Sequence, residues 1–129
     1  MPYKINHLTD LEIVDLSLRG VITGDELRDV TSKCIAIQKE YGVKKFLVCA
    51  DNSEFFTTLV DIFDLADKQY PSEGVDRSTR IAVIYPLSIT AKEAVSFYET
   101  TCRNRGWNAQ IYSDRESAIA WLEKTEELM

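Results

Sequence analysis

Lys45-Phe46-Leu47-Val48-Cys49-Ala50 is an almost unbroken apolar run closed by Asp51-Asn52-Ser53-Glu54, and Ile81-Ala82-Val83-Ile84-Tyr85 is a second, closed by Pro86. Both are too short for a typical helix and rich in β-branched or aromatic residues, which predicts strands covered on both faces. Such strands pair in parallel, and parallel pairing requires a long crossover between them. The flanking sequence therefore has to supply helices.

It does so on either side. Upstream, Thr23-Gly24-Asp25-Glu26 has the spacing of a capping box, in which a hydroxyl and a carboxylate satisfy the amides of a helix start. Leu27, Val30, Cys34, Ile37 and Tyr41 then step by three and four, predicting one buried helix face, and Gly42 suits a left-handed end. Between the two runs, Phe56, Leu59, Phe63, Ala66 and Tyr70 predict a second helix, which Pro71 and Gly74 break. A polar loop is expected up to Thr79.

After Pro86, Thr90-Ala91-Lys92-Glu93 predicts another capping box, for a helix through Ala94, Tyr98 and Cys102 to Gly106. Asn108 to Tyr112 reads as a last strand. Ser113-Asp114-Arg115-Glu116 predicts a third box, for a helix burying Ala118, Trp121 and Leu122, and the final Glu126-Glu127-Leu128-Met129 is expected to fray. At the start of the chain, Tyr3 to Leu8 is a short strand candidate. Residues 11–21 form a longer one, in which Val14, Leu16 and Leu18 alternate with a wetter Asp15, Ser17 and Arg19. The expected fold class is α/β, in the order ββαβαβαβα: a mixed, mostly parallel sheet of about five strands with four helices.

The 129 residues, 45% of them hydrophobic, suffice for one domain over 1–129 with its own core. No apolar stretch is long enough to span a membrane, and the first residues lack a secretion pattern, so a cytoplasmic protein is expected. Cys34, Cys49 and Cys102 form an odd set inside apolar patterns, predicting free thiols in a reducing compartment. A net charge of −6 opposes attraction to nucleic acid and to anionic membranes.

Two segments carry a family resemblance. Leu16-Ser17-Leu18-Arg19-Gly20-Val21-Ile22-Thr23 is similar to the strand, glycine and turn that open STAS (anti-sigma-factor antagonist) domains. The tail from Arg103-Asn104-Arg105-Gly106-Trp107 to Ala118-Ile119-Ala120-Trp121-Leu122 resembles the close of small bacterial SpoIIAA-like proteins, which are grouped structurally with CRAL-TRIO lipid-binding domains. The resemblance implies a STAS-like β-α superhelix and a non-enzymatic regulatory or protein-interaction role, or alternatively the binding of a small amphiphile or lipid. In antagonists, an Asp-Ser-Ser/Thr-Gly loop after the third strand carries a phosphorylated serine. By position the resemblance assigns Asp51 and Ser53 to that loop, but the glycine is missing and Glu54 adds a negative charge.

The candidate site therefore centres on Asp51, Asn52, Ser53, Glu54, Phe55 and Phe56. This is an expected strand end before a helix, where open α/β sheets place ligands, although short polar residues such as Asp51 or Ser53 at a helix start more often merely cap it. Phe55, Phe56, Tyr85, Trp107 and Tyr112 stand near strand ends and could line one pocket, or simply pack the core. Arg103 and Arg105 suit the negative end of a helix, or a clamp for an anion.

His7 has no triad spacing, Asp61, Asp64 and Asp67 form a stripe more typical of a solvated face than of a metal site, and Cys49 should be inert. No catalytic residue, metal or cofactor is expected. A protein partner is, and a homodimer through an edge strand at Tyr3 to Leu8 or Asn108 to Tyr112 is conceivable.

Overall fold

The computed structural model describes residues 3–124. Its elements are β1 (Tyr3–Leu8), β2 (Ile13–Thr23), α1 (Gly24–Tyr41), β3 (Lys45–Phe56), α2 (Leu59–Asp64), α3 (Tyr70–Ser72), β4 (Arg80–Ile84), α4 (Ile89–Asn104), β5 (Asn108–Tyr112) and α5 (Arg115–Glu123). A π-helical turn, Leu65–Gln69, joins α2 to α3 so that they run on as one helical segment. This is the expected alternation, with four helical segments.

The strands lie in chain order, β1-β2-β3-β4-β5, with β1 antiparallel to β2 and every other pair parallel. Each crossover moves one strand in the same direction, so crossovers of one hand put α1, the α2–α3 segment and α4 on the same face. There they enclose the larger core of Val14, Leu16, Leu18, Phe46, Val83, Ala94 and Trp107. Helix α5, free of a crossover, covers the opposite face of β3, β4 and β5 over Ile13, Leu47, Ala82, Ala118 and Leu122.

The capping box of α1 forms as expected: Thr23 Oγ1 accepts from the Glu26 amide at 3.2 Å, and the Thr23 amide donates to Glu26 Oε1 at 3.1 Å. Gly42 ends the helix at φ 67°. On its buried face, however, Gln38 replaces Tyr41, which is exposed. Gln38 Nε2 donates to Thr79 Oγ1 at 2.9 Å, while its Oε1 is buried without a partner, so the side chain enters the core only half satisfied.

Several boundaries differ from expectation. The second strand begins at Ile13 because Glu12, at φ 55°, turns the chain there, and Asp15 is buried rather than wet. It is held by Arg115 Nη2 at 2.8 Å, an ion pair that fastens the start of α5 across the sheet. The box expected at Thr90 is displaced by Ser88, whose hydroxyl accepts from the Ala91 amide at 3.1 Å. Asp114, rather than Ser113, caps α5, accepting from the Ser117 amide at 2.7 Å. The fraying expected of residues 126–129 lies outside the described residues.

The main correction concerns Asp51-Asn52-Ser53-Glu54, which is not a turn. The strand β3 continues through it to Phe56, paired in parallel with β2 from Arg19↔Asn52 to Thr23↔Phe56. Asp, Asn and Ser disfavour strands, and the register shifts between Ser17 and Arg19, so β3 carries one extra residue there. Ser53 Oγ braces this bulge by donating to the Ala50 carbonyl at 2.8 Å. The following helix then starts at Leu59, capped by Thr58 with Asp61 rather than by Asp51 or Ser53.

Candidate functional site: an apolar cavity under the helices

Between the sheet and α1, α2 and α4 lies a partly open cavity of about 90 Å³. Its floor is Leu16 and Leu18 of β2, Val48 and Phe55 of β3 and Val83 of β4. Its roof includes Leu27 and Thr31 of α1, Ile62 of α2, Tyr70 of α3, and Ala94 and Tyr98 of α4. Small side chains at Thr31, Cys34 and Ala94 open it, because each stands where a core helix usually presents a larger one.

Among the described residues no charged side chain or histidine lines it. Its polar wall consists of hydroxyls and a thiol, and the Tyr70 and Tyr98 hydroxyls bond each other at 2.5 Å. Burial holds both phenols above the ordinary tyrosine range, and the Cys34 thiol is pushed up to about 12. These groups stay protonated near neutral pH. The cavity can therefore exclude water and offer neutral hydrogen bonds, but its walls present no charge and no base.

The sequence-predicted site residues are not gathered around this space. Only Phe55 lines it. Ser53 is buried with its hydroxyl committed to Ala50, Asp51 is half-buried, and Asn52, Glu54 and Phe56 are exposed. Trp107 is core, edge-on to Tyr70 at 5.4 Å and donating to the Ala66 carbonyl at 2.9 Å.

Tyr112 packs on Trp121 on the α5 face, and Tyr85 projects outward beneath Lys92. Arg105 pairs with Asp67 at 2.9 Å and lies over the Phe63 ring, while Arg103 lies beside Glu99, so the two form no anion clamp. The acidic stripe is likewise occupied: Asp61 pairs with Arg28 and Asp64 with Lys68. Among the described residues no group of three or more His, Cys, Asp or Glu side chains converges as a metal site, and His7 packs on Tyr41.

Sequence reasoning missed Tyr70 and Tyr98 as partners. Both lie at core spacing on their helices, but they are 28 positions apart and only the folded layers bring them together.

The thiols make a direct test. An aromatic disulfide reagent at pH 8 is expected to titrate at most one of the three cysteines in the native protein, and to do so slowly. Cys34 and Cys102 are buried and raised to about 12, while the half-exposed Cys49 is raised chiefly by desolvation. Rapid modification of two or more thiols without denaturant would contradict this packing.

The order and pairing of these elements are those of a SpoIIAA-like α/β fold. A solved structure with which the chain aligns is an uncharacterised protein of the DUF3478 family, described as having a SpoIIAA-like fold, from Shewanella loihica. The two share 15% identity with a TM-score of 0.57, over 93% of this chain and 91% of that one. No protein-family model and no curated protein matches the chain. No helix among the described residues is long and apolar enough to cross a membrane.

Proposed function

We propose that the protein is a non-enzymatic binding module that holds a small, uncharged, largely apolar molecule in the cavity between its sheet and its helices. The observation that supports this most is the lining: aliphatic and aromatic walls with only neutral donors, in a half-open space of about 90 Å³. An engineered cavity of about 150 Å³ with similar walls stays dry and takes up benzene, so this smaller space, open at its mouth, suits a short chain or part of a ring rather than a whole lipid. A polar tip would meet the Tyr70–Tyr98 pair or protrude from the mouth.

The test uses indole and 1-hexanol as probes. Both are expected to bind with a Kd of about 1 mM or tighter, roughly −4 kcal/mol, read by chemical-shift changes at Phe55 and Tyr98. Ala94→Leu puts three carbons into the space and should abolish the shifts while leaving the melting temperature unchanged or higher. Absence of binding to the parent, or undiminished binding to the variant, defeats this reading.

A regulatory, protein-binding role of the antagonist kind draws its support from a different observation, the apolar edge of the sheet. It gains nothing from Ser53, whose buried and bonded hydroxyl is a poor phosphate acceptor.

A further inference from the structure

Eight large hydrophobic residues are exposed among those described, and seven of them stand at one edge of the molecule. Val21 is near the end of β2, Phe56 ends β3, Leu59 and Val60 open α2, Tyr85 and Leu87 follow β4, and Ile89 opens α4. This is the carboxyl edge of the parallel strands. Phe56 is 80% exposed, Leu87 76% and Ile89 74%, values that no core or capping role requires. The edge is also fixed in place: Ser88 Oγ donates to the Ser53 carbonyl at 3.0 Å, tying the β4–α4 loop to β3, and Gly24 lies so close to Asp61 that a Cβ there would sit 2.4 Å from its carboxylate.

Single exposed apolar side chains are common on monomers, but seven at one edge, three of them about three-quarters exposed or more, are what a partner-binding surface presents. The charge around the patch then selects the partner. Glu26, Asp51, Glu54 and Glu93 stand at this edge, against Arg19 and Lys92, while Arg28 and Arg115 are already held by Asp61 and Asp15. A second copy would set one acidic border against another, and an anionic membrane would be repelled by the same carboxylates.

We infer that this edge is a docking surface for a protein segment whose large apolar side chains are bordered by lysine or arginine, such as one face of a basic amphipathic helix. The inference rests on the protein-binding reading and gives it a site and a partner chemistry. The apolar strip covers Phe56, Leu59, Leu87 and Ile89, and the basic border meets Glu54 and Glu93.

The probe is a synthetic helix of about five turns made of leucine and lysine, compared with the same design in leucine and glutamate, at physiological salt. The lysine helix is expected to bind the full chain at least about tenfold more tightly than the glutamate helix. It should lose about tenfold with Phe56→Ser/Leu87→Ser and also weaken with Glu54→Lys/Glu93→Lys. All four positions are exposed, so circular dichroism should report an unchanged fold.

Equal affinity for the two helices, or variants that bind like the parent, overturns the proposal. So does a parent that sediments as a dimer and becomes monomeric on Phe56→Ser/Leu87→Ser, or one that binds phosphatidylcholine vesicles through the same residues. Indole uptake by these variants reads the cavity separately, so loss of one activity does not carry the other with it.

Discussion

Raising the pH from 9 to 11 is expected to cost the fold about 5 kcal/mol, enough to bring a domain of ordinary stability close to unfolding. The cause is the pair of core thiols. Cys34 and Cys102 ionise near 9.0 when exposed but only near about 12 when folded, because burial disfavours the thiolate. Between those values the unfolded chain holds fewer protons than the folded one, so unfolding gains with every step in pH, at about 1.4 kcal/mol per unit for each thiol. Tyr70 and Tyr98, also raised by burial, add to the loss above pH 10.

Urea unfolding at a series of pH values measures the slope. Replacing both thiols, Cys34→Ala with Cys102→Ala, should lower stability at pH 7 through lost packing and make the alkaline slope shallower by the thiols' share. An equal slope in parent and variant would remove the thiols from the account.

The second large effect is expected at Trp107. Its ring is buried between Tyr70 and the Arg77 guanidinium, which lies 3.8 Å from the ring centroid, and Nε1 satisfies the Ala66 carbonyl inside the π-helical turn. Trp107→Ala empties that space and is expected to cost about 3–5 kcal/mol in chemical denaturation. Trp107→Phe keeps most of the packing and strands the Ala66 carbonyl, for a loss of about 1–3 kcal/mol. A cost below 1 kcal/mol for the alanine variant would mean that the π-turn and the end of α4 do not depend on this indole.

Much of the architecture is legible in local pattern. Thr23 with Glu26 marks the start of α1 and Gly42 its end. The runs beginning at Lys45 and Ile81 mark the two central strands, and Tyr3–Leu8 and Asn108–Tyr112 fall where expected. What local pattern misses is decided by distant partners. Asp51 to Glu54 resembles a turn because those residues favour turns in isolation, and only pairing with residues 19–23 of β2 keeps it extended. Thr90 with Glu93 is as good a local cap as Ser88, but the Ser88 hydroxyl also reaches the Ser53 carbonyl.

The candidate site was less legible for the same reason. A one-residue bulge in β3 determines which of Phe55 and Phe56 faces the cavity and which faces water, and no spacing rule announces a bulge. Sequence placed Phe55 near a possible pocket. It had no means of pairing Tyr70 with Tyr98, or of knowing that Thr31 and Ala94 leave room between them.

The order of the strands also bears on how the molecule is assembled. Each strand is laid beside the one made just before it, and none has to slide between two that are already joined. A chain emerging from the ribosome can therefore add one strand-and-helix unit at a time, with α5 closing the far side last. The surfaces left waiting at each stage are the edge of the newest strand and the uncovered side of β3 and β4, which are the places where a stalled chain would adhere to its neighbours.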